Sequence, residues 1–167
     1  MDKIKLRPME PEDLDVLYNI ENDMELWSVG YTTAPYSRYL LHDYIANNTS
    51  DIYADRQLRL IAENVQGEVV GIVDITNFEP QHNRAEIGLV TRRKYRRQGY
   101  GLKMVDAIKA YSLRTIHLHQ LFAVVSEDNV SSLELFMKCG FEHSALLKEW
   151  LFDGKKYQNA VLLTYFL

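Results

Sequence analysis

The chain has 167 residues, 47% hydrophobic and 25% charged, which is typical of one globular domain with a sizeable core. Its net charge of −4 argues against a general nucleic-acid binder, since those proteins usually carry a broad basic face. The single cysteine, Cys139, excludes an intrachain disulfide, and no apolar run has the length of a membrane span or the pattern of a signal peptide. We therefore expect a cytoplasmic protein built as a single domain over residues 1–167.

The first third of the chain predicts a short strand and two helices. Residues 3–7 alternate in polarity, and Pro8 and Pro11 mark the end of this strand. Acidic residues at positions 12 and 13 then favour the start of a helix, which an apolar stripe continues to residue 21. Ser37 is a candidate N-cap for the second helix.

Three strands follow in the middle of the chain. Gln66-Gly67 predicts a turn between strands at 57–64 and 69–76, and a polar loop over 77–83 leads to a third strand at 84–90. Short connections of this kind imply antiparallel pairing. In the first of these strands the alternation places Leu58, Leu60 and Ala62 on one side and Arg59, Ile61 and Glu63 on the other.

The last third of the chain begins with a predicted helix, strand and second helix. Helical spacing of apolar residues covers 102–113, and a short apolar strand follows at 121–125. The next helix starts at Ser131 or Ser132 and stops at Gly140. The residues expected on its inner face are Leu133, Phe136 and Met137.

A hairpin closes the chain. A strand begins at Phe141, residues 150–152 and 157–166 form the predicted hairpin, and Asp153-Gly154 predicts a type I′ turn within it. The strands at 85–90 and 121–125 are joined through a helix, so we expect them to be parallel. The fold class is thus α/β (α+β), a single mixed, mostly antiparallel sheet of six to seven strands with helices on both faces.

A basic, glycine-rich loop stands where a strand ends and a helix begins. Arg96-Arg97-Gln98-Gly99-Tyr100-Gly101 follows the strand at 84–90. The first N–H groups of a helix have no partner within it and carry the positive end of its dipole, so they bind phosphate groups well. The loop therefore predicts a site for a phosphorylated ligand. A glycine-rich turn with solvated arginines is the alternative.

Other motifs on either side of the loop extend this pattern. Ala85-Glu86-Ile87-Gly88 precedes the loop, and Asn129-x-x-Ser132 and Lys138-Cys139-Gly140-Phe141 follow it. Together they resemble the signature of the GNAT N-acetyltransferases, and the resemblance covers nearly the whole chain. Lys5-Leu6-Arg7-Pro8, Arg84-Ala85-Glu86 and Asn159-Ala160 give a layout similar to the bacterial spermidine and diamine N-acetyltransferases.

The resemblance implies that acetyl-CoA binds as a co-substrate. Its pyrophosphate would lie on backbone N–H groups of the loop, and its pantetheine arm would pair with the preceding strand. Asn129 would bond the pantetheine through its amide, with Ser132 in the same motif, and Lys138 would reach the coenzyme. The expected binding residues are Leu89, Val90, Thr91, Arg96, Arg97, Gln98, Gly99, Tyr100, Gly101, Leu102, Asn129, Ser132 and Lys138.

Acetylation of an amine requires a base. An alkyl amine has a pKa near 10.4, so only about one molecule in ~10³ is neutral at pH 7. Glu86, on the strand beside the expected acetyl site, is the candidate that removes the proton, since an acid is common at the matching family position. A half-buried carboxylate paired with Arg84 or another neighbour is the alternative for Glu86.

Phe136 departs from the family pattern. The family commonly places a tyrosine there to protonate the departing thiolate, and phenylalanine has no proton to give. A thiol pKa near 8.5 lets a thiolate leave with modest help from water or a hydroxyl. Either the enzyme works without this acid or another of its eleven tyrosines substitutes. For Phe136 itself we predict a place in the hydrophobic core.

The acceptor is expected to be a small-molecule amine, a polyamine or a diamine. Five acidic residues suit a cationic amine or form a solvated acidic face: Glu21, Asp23, Glu25, Asp74 and Glu79. Trp27, Tyr31 and Tyr36 either line the pocket or pack in the core.

Two alternatives for the function remain open from the sequence. One is an N-terminal or ribosomal-protein amine as the acceptor, and the other is an acetyl-CoA-binding module without turnover. We expect a homo-oligomer, a dimer or larger, with residues 161–167 at its interface or in the core. We expect no contact with nucleic acid or membrane, and no metal site, because His117 and His119 have no third ligand nearby in the sequence.

Overall fold

The computed structural model describes residues 3–27 and 32–167. In these ranges the strands are Lys5–Arg7 (β1), Leu58–Glu63 (β2), Val69–Glu79 (β3), Arg84–Thr91 (β4), Gln120–Ser126 (β5), Glu142–Phe152 (β6) and Tyr157–Phe166 (β7). The helices are Leu14–Glu21 (α1), Met24–Trp27 (α2), Arg38–Ala46 (α3), Ile52–Asp55 (α4), Tyr100–Tyr111 (α5) and Val130–Lys138 (α6). Each described helix is too short or too polar to cross a bilayer.

All seven of these strands join one sheet in the order β1-β2-β3-β4-β5-β7-β6. Neighbouring strands are antiparallel except β4 and β5, which are parallel. The predicted fold class is therefore confirmed, including the single parallel pair joined through a helix.

Helices cover both faces of the sheet. The larger core packs α5 and α6 on one face, with Met104 and Ile108 fully buried. The smaller core packs α1 and α3 on the other face around Leu17 and Leu41. Ile61 belongs to this second core and has 0% exposure. Leu58, Leu60 and Ala62 belong to the larger core, so they lie opposite Ile61 as the alternation of β2 predicted.

The helix ends differ in detail from the sequence prediction. Ser37 caps α3 as predicted, since its hydroxyl accepts a hydrogen bond from the backbone N–H of Leu40 at 3.1 Å. The helix α5 begins at Tyr100 rather than at residue 102. In α6, Met137 is 51% exposed, so its predicted place on the inner face is wrong. The short helices α2 and α4 were not predicted.

The closing hairpin has a different turn from the predicted one, while its first strand begins at Glu142, next to the predicted start at Phe141. Phe152 pairs with Tyr157, so four residues connect β6 to β7 where a type I′ turn would use two. Asp153 organises this loop, because its Oδ1 accepts hydrogen bonds from the backbone N–H groups of Lys155 at 2.8 Å and Lys156 at 2.9 Å. The predicted type I′ turn is thus wrong.

Candidate active site

A cleft opens where the two parallel strands separate. β4 and β5 are paired only from Arg84 to Glu86, and the last paired row joins Glu86 to Phe122. Beyond that row, β4 continues to Thr91 while it pairs with β3 alone. The side of β4 that faces β5 therefore presents backbone groups without a strand partner, as an added strand requires.

Leu89, Val90 and Thr91 lie in this open part of β4 and are half-buried. Leu89 packs against the larger core, and Val90 packs against the smaller core on the opposite face. Because these side chains point to the two faces, the backbone edge between them remains accessible to a ligand.

Polar side chains of the loop after β4 hold its backbone in place. Arg92 donates from NH1 to the carbonyl of Val69 at 2.8 Å, and Arg96 donates from Nε to the carbonyl of Thr91 at 3.1 Å. Gln98 donates from Nε2 to a backbone carbonyl of the same loop at 2.8 Å. These three side chains therefore shape the loop, while the side chain of Arg97 is exposed.

The backbone of this loop forms an anion cradle. In the described part of the chain, the N–H groups from Arg97 to Leu102 form no hydrogen bond. The N–H of Arg96 is already bonded to the carbonyl of Arg93 at 3.3 Å. The row of free N–H groups therefore begins at Arg97, one residue later than the resemblance implied. Gly99 turns the chain with φ of +79° into α5. This N–H row at a helix start fits a pyrophosphate.

Gly101 serves a second purpose in the cradle. A Cβ added at Gly101 would lie 3.2 Å from Cδ2 of Leu135, which is closer than ordinary packing contacts. The absence of a side chain at Gly101 therefore lets α6 approach the first turn of α5. This contact brings the start of α5 and its N–H groups close to α6.

The Asn129 motif begins α6. Oδ1 of Asn129 accepts hydrogen bonds from the backbone N–H of Ser132 at 3.2 Å and the hydroxyl of Ser131 at 3.1 Å. Asn129 is therefore the N-cap of α6, which the sequence prediction had placed two or three residues later. Lys138 lies exposed at the other end of α6, about 13 Å along the helix from Asn129. These two residues would contact different parts of a bound coenzyme.

Glu86 lies at the closed end of the cleft. It is half-buried, and its Oε2 accepts a hydrogen bond from Nδ2 of Asn77 at 2.6 Å. Arg84 pairs with Glu79 at 2.8 Å instead of Glu86. The alternative interpretation of Glu86 as a half-buried carboxylate paired with Arg84 or another neighbour is therefore wrong for Arg84, whereas the neighbour that it contacts is Asn77. Asn77 was missed because residues 77–83 read as a loop, and only the apolar Phe78 in that segment signals that β3 continues.

Phe136 lies in the hydrophobic core, as predicted. It is 4% exposed, and its ring contacts that of Phe141 edge-on with centroids 5.1 Å apart. No tyrosine occupies the position from which the family commonly protonates the thiolate.

Residues 3–142 match the family model described as the Acetyltransferase (GNAT) domain. The chain belongs to the GNAT acetyltransferase family. The resemblance inferred from the motifs is confirmed, and with it the activity of an acetyl-CoA-dependent N-acetyltransferase.

Curated relatives of this GNAT domain include spermidine acetyltransferases. The spermidine N(1)-acetyltransferase of Escherichia coli K12 is 24% identical over 167 residues, which are 98% of this chain and 86% of the relative. The enzyme of the same name from Vibrio cholerae is 23% identical over 157 residues, which are 94% of this chain and 89% of the relative.

Solved structures share the fold. A crystal structure of spermidine N-acetyltransferase from Vibrio cholerae in complex with CoA and spermine has a TM-score of 0.86 and 22% identity. It aligns with 98% of this chain and 95% of its own. A dodecameric structure of the Vibrio cholerae enzyme in an intermediate state has a TM-score of 0.81 and 23% identity, over 98% of this chain and 94% of that one.

The acidic residues predicted for the acceptor pocket of this GNAT domain all form ion pairs. Arg59 pairs with both Glu21 and Asp74, and its Nε lies 2.6 Å from Oδ1 of Asp74. The other three pair with arginines too: Asp23 and Glu25 with Arg93, and Glu79 with Arg84. The side chains of Glu25 and Glu79 are 65% and 45% exposed, as in a solvated face, whereas those of Glu21 and Asp74 are largely covered.

The cluster of Arg59, Glu21 and Asp74 keeps one excess negative charge. Burial alone would lower the pKa of Arg59, but the attraction of the two carboxylates outweighs burial and raises it. The guanidinium is therefore always charged. Two carboxylates against one guanidinium leave a net charge of about −1 when the acids are ionised at pH 7. A cationic ligand nearby would be stabilised by this charge.

A small cavity borders this cluster on the face of the sheet that carries Glu86. Tyr44, Thr76 and Asp74 are among its lining residues. Thr76 lies opposite Glu86 across β3 and β4, and Asp74 lies opposite Gly88. A Cβ at Gly88 would meet no atom within 4 Å, so open space extends from the cavity side toward Glu86.

The predicted aromatic residues contribute less to this region. The indole N–H of Trp27 donates to the carbonyl of Glu21 at 2.9 Å, so Trp27 supports the helix that carries Glu21. Tyr36 is 38% exposed, and Tyr31 lies outside the described residues. In the ranges 3–27 and 32–167, no group of three or more His, Cys, Asp or Glu side chains is arranged to hold a metal, and His117 and His119 are exposed.

Proposed function

We propose that this GNAT domain acetylates a primary amine of a polyamine or diamine by direct attack in a ternary complex. The main support is the position of Glu86, a half-buried carboxylate in the last pair of residues that joins β4 to β5 before these strands separate. The excess negative charge of the Arg59 cluster and the names of the aligned relatives support a cationic acceptor.

The proposed coenzyme site follows the cleft from β4 to α6. The backbone of Leu89, Val90 and Thr91 would pair with the pantetheine arm, and the N–H row of the cradle would bind the pyrophosphate. Asn129 retains its NH2 group for the pantetheine after its oxygen has capped α6. The remaining proposed contacts are Arg96, Arg97, Gln98, Gly99, Tyr100, Gly101, Leu102, Ser132 and Lys138.

Acetyl transfer would depend on the thioester of acetyl-CoA and on the carboxylate of Glu86. Acetyl-CoA supplies an activated acetyl thioester. Glu86 takes a proton from the ammonium of the acceptor, directly or through water, so that the nitrogen lone pair can attack the carbonyl carbon. The C–S bond breaks and the thiolate leaves, and the nitrogen, now part of an amide, loses its second proton to the thiolate or to water. Because Phe136 offers no proton, the thiolate is released with help from solvent, which its ordinary pKa near 8.5 permits.

Replacement of Glu86 by Gln tests this proposal. We expect kcat/KM for spermidine to fall about 100-fold, since a positioned base contributes on that order, while the Kd of acetyl-CoA stays unchanged. Thiol release measures the first quantity and calorimetry the second. Glu12→Gln, at an exposed position on another element, is the matched control and should leave both unchanged. Absence of thiol release by the wild type with every amine tested would refute the proposal.

A protein N-terminal amine is the second candidate acceptor. It is favoured by the ion pairing of all five acidic residues, which leaves less free negative charge for a polyamine than the sequence implied. An α-amino group has a pKa near 8 and needs less help from a base. A large loss with spermidine and little loss with peptides in Glu86→Gln would favour this second acceptor.

We also propose that residues 1–167 work as one domain within a homo-oligomer. The joining of β1 through β7 into one sheet supports the single domain. For the oligomer, Val161 and Leu163 are buried in the core, whereas the hairpin at the sheet edge exposes Trp150, Phe152 and Tyr157. These exposed side chains would form the contact, and the mass in solution measured by light scattering tests it.

A further inference from the structure

Asn77 lies at an irregularity in β3 directly beside Glu86. The pairing of β3 with β4 shifts between Thr76 and Glu79, and Asn77 has φ of +47°. Bulges of this kind bend a strand and re-aim a side chain, and they are common next to active sites. Asparagine tolerates the left-handed conformation better than most residues, so the residue type suits the backbone here.

The chain that follows Asn77 is anchored to the rest of the molecule. Phe78 is 3% exposed and packs edge-on against Tyr53, with ring centroids 5.2 Å apart. The backbone N–H of Phe78 donates to the carbonyl of Arg56 at 3.2 Å. After the bulge, Glu79 pairs with Arg84 and restores the ladder. Asn77 therefore points at Glu86 from an anchored position.

The contact between Asn77 and Glu86 fixes one carboxylate oxygen. Nδ2 of Asn77 donates to Oε2 of Glu86 at 2.6 Å, and in the described part of the chain no side chain bonds to Oε1. A hydrogen bond to a carboxylate is stronger than one between neutral groups. The bond thus orients the carboxylate, with Oε1 available to accept a proton.

We propose that Asn77 is a positioning residue that aims Oε1 of Glu86 at the ammonium of the acceptor. This inference rests on the proposed function. One proton leaves the ammonium nitrogen for Oε1, the freed lone pair forms the bond to the acetyl carbon, and the C–S bond breaks with its electrons on sulfur. The nitrogen, now part of an amide, loses its second proton to the thiolate or to water. Asn77 keeps its bond to Oε2 through these steps and contacts neither substrate.

The surroundings of Glu86 make Asn77 the polar group that acts on it most directly. Its cross-strand neighbours are Thr76 on β3 and Phe122 on β5, which are both uncharged. The flanking residues on the same face of β4 are Arg84, which is paired with Glu79, and Gly88, which has no side chain. On the same face of β3, Asp74 is paired with Arg59 and lies opposite Gly88.

Two substitutions distinguish the effect of the Asn77 side-chain amide from the effect of its backbone conformation. Asn77→Gly removes the donor while glycine accepts the positive φ, and we expect kcat for spermidine to fall about tenfold with little change in KM. Asn77→Asp keeps the shape but places a second carboxylate against Glu86, so the acid limb of the pH–rate profile should move to higher pH. Asn83→Gly is the matched control, since Asn83 has φ of +48° on an exposed loop. It should leave kcat unchanged.

A double-mutant cycle with Glu86→Gln decides whether Asn77 acts through Glu86. If it does, adding Asn77→Gly to Glu86→Gln should cause no further loss of kcat. Equal losses in both backgrounds, or full activity of Asn77→Gly, would overturn the inference while leaving the proposed function intact. Full activity of Glu86→Gln would instead remove Glu86 as the base, and with it this role for Asn77.

Discussion

At the scale of single residues, Phe136 is the clearest case of a residue that occupies a family's catalytic position but lacks the catalytic group. The sequence motif around it matches the family pattern, and the structure buries its ring against Phe141. The residue that would protonate the thiolate is thus replaced by a residue that stabilises the core. The reaction remains feasible because a thiolate is a far better leaving group than an alkoxide, which needs a proton at neutral pH.

Restoring the family residue with Phe136→Tyr should not restore an acid. A hydroxyl added to this buried ring costs about 1–2 kcal/mol when it finds no hydrogen-bond partner, so we expect a lower free energy of unfolding and an unchanged kcat. Urea unfolding and thiol release measure the two quantities. Phe166→Tyr, at a ring that is 63% exposed, should change neither. A rise in kcat for Phe136→Tyr would show that the ring edge faces the coenzyme sulfur.

At the scale of elements, periodicity and turn residues were enough to predict the antiparallel run of β2, β3 and β4, the parallel pair of β4 with β5 and the closing hairpin. They were not enough where tertiary packing decides. The polar segment after Thr76 hides the bulge at Asn77, because Phe78 alone is apolar there. The chemistry of the loop was visible in its glycines, whereas the pairing of Asp74 with Arg59 depends on strand register.

Two glycines with the same backbone conformation allow the effect of the cradle's geometry on coenzyme binding to be distinguished from the effect of backbone strain on stability. Gly99 in the cradle has φ of +79° and Gly67 in the β2–β3 turn has φ of +77°, and a Cβ at either would meet no atom within 4 Å. Alanine at either position costs about 1 kcal/mol in that conformation.

For Gly99→Ala we expect the loop to relax away from the cradle in the free protein. Acetyl-CoA must then restore it, so its Kd should rise about fivefold, as measured by calorimetry. Gly67→Ala should lower the unfolding temperature without changing this Kd. Equal Kd values for wild type and Gly99→Ala would show that the cradle does not depend on the conformation at Gly99.

At the scale of the whole molecule, charged side chains form ion pairs between elements, which the net charge of −4 does not reveal. Arg59 is held between two carboxylates on the face that carries α1 and α3. At the edge of the sheet, Arg7 on β1 bonds to Asp13 before α1 and to Glu63 on β2. Such buried pairs connect elements that are distant in sequence, and removal of one partner leaves the other charge uncompensated.

Asp13 makes global stability dependent on pH. It is 3% exposed and accepts hydrogen bonds from NH1 and NH2 of Arg7 at 2.7 and 2.9 Å and from the backbone N–H of Glu10 at 2.8 Å. Burial alone would raise the pKa of Asp13, but the bonds from Arg7 and Glu10 outweigh burial and lower it. A lowered folded-state pKa contributes stability above the unfolded value of about 3.9, and the contribution is lost as pH falls through the folded-state pKa.

Asp13→Asn should therefore lower the free energy of unfolding at neutral pH by about 2 kcal/mol, since charge-assisted hydrogen bonds to a buried group are lost. The gap between wild type and variant should shrink as the pH falls below about 4, because only the wild type loses the ionised Asp13. Urea unfolding at neutral and acidic pH measures both values. Asp15→Asn removes an exposed partner of Arg38 and should change stability by less than about 1 kcal/mol at either pH. A constant gap across this pH range would mean that Asp13 stabilises the fold by packing rather than by its charge.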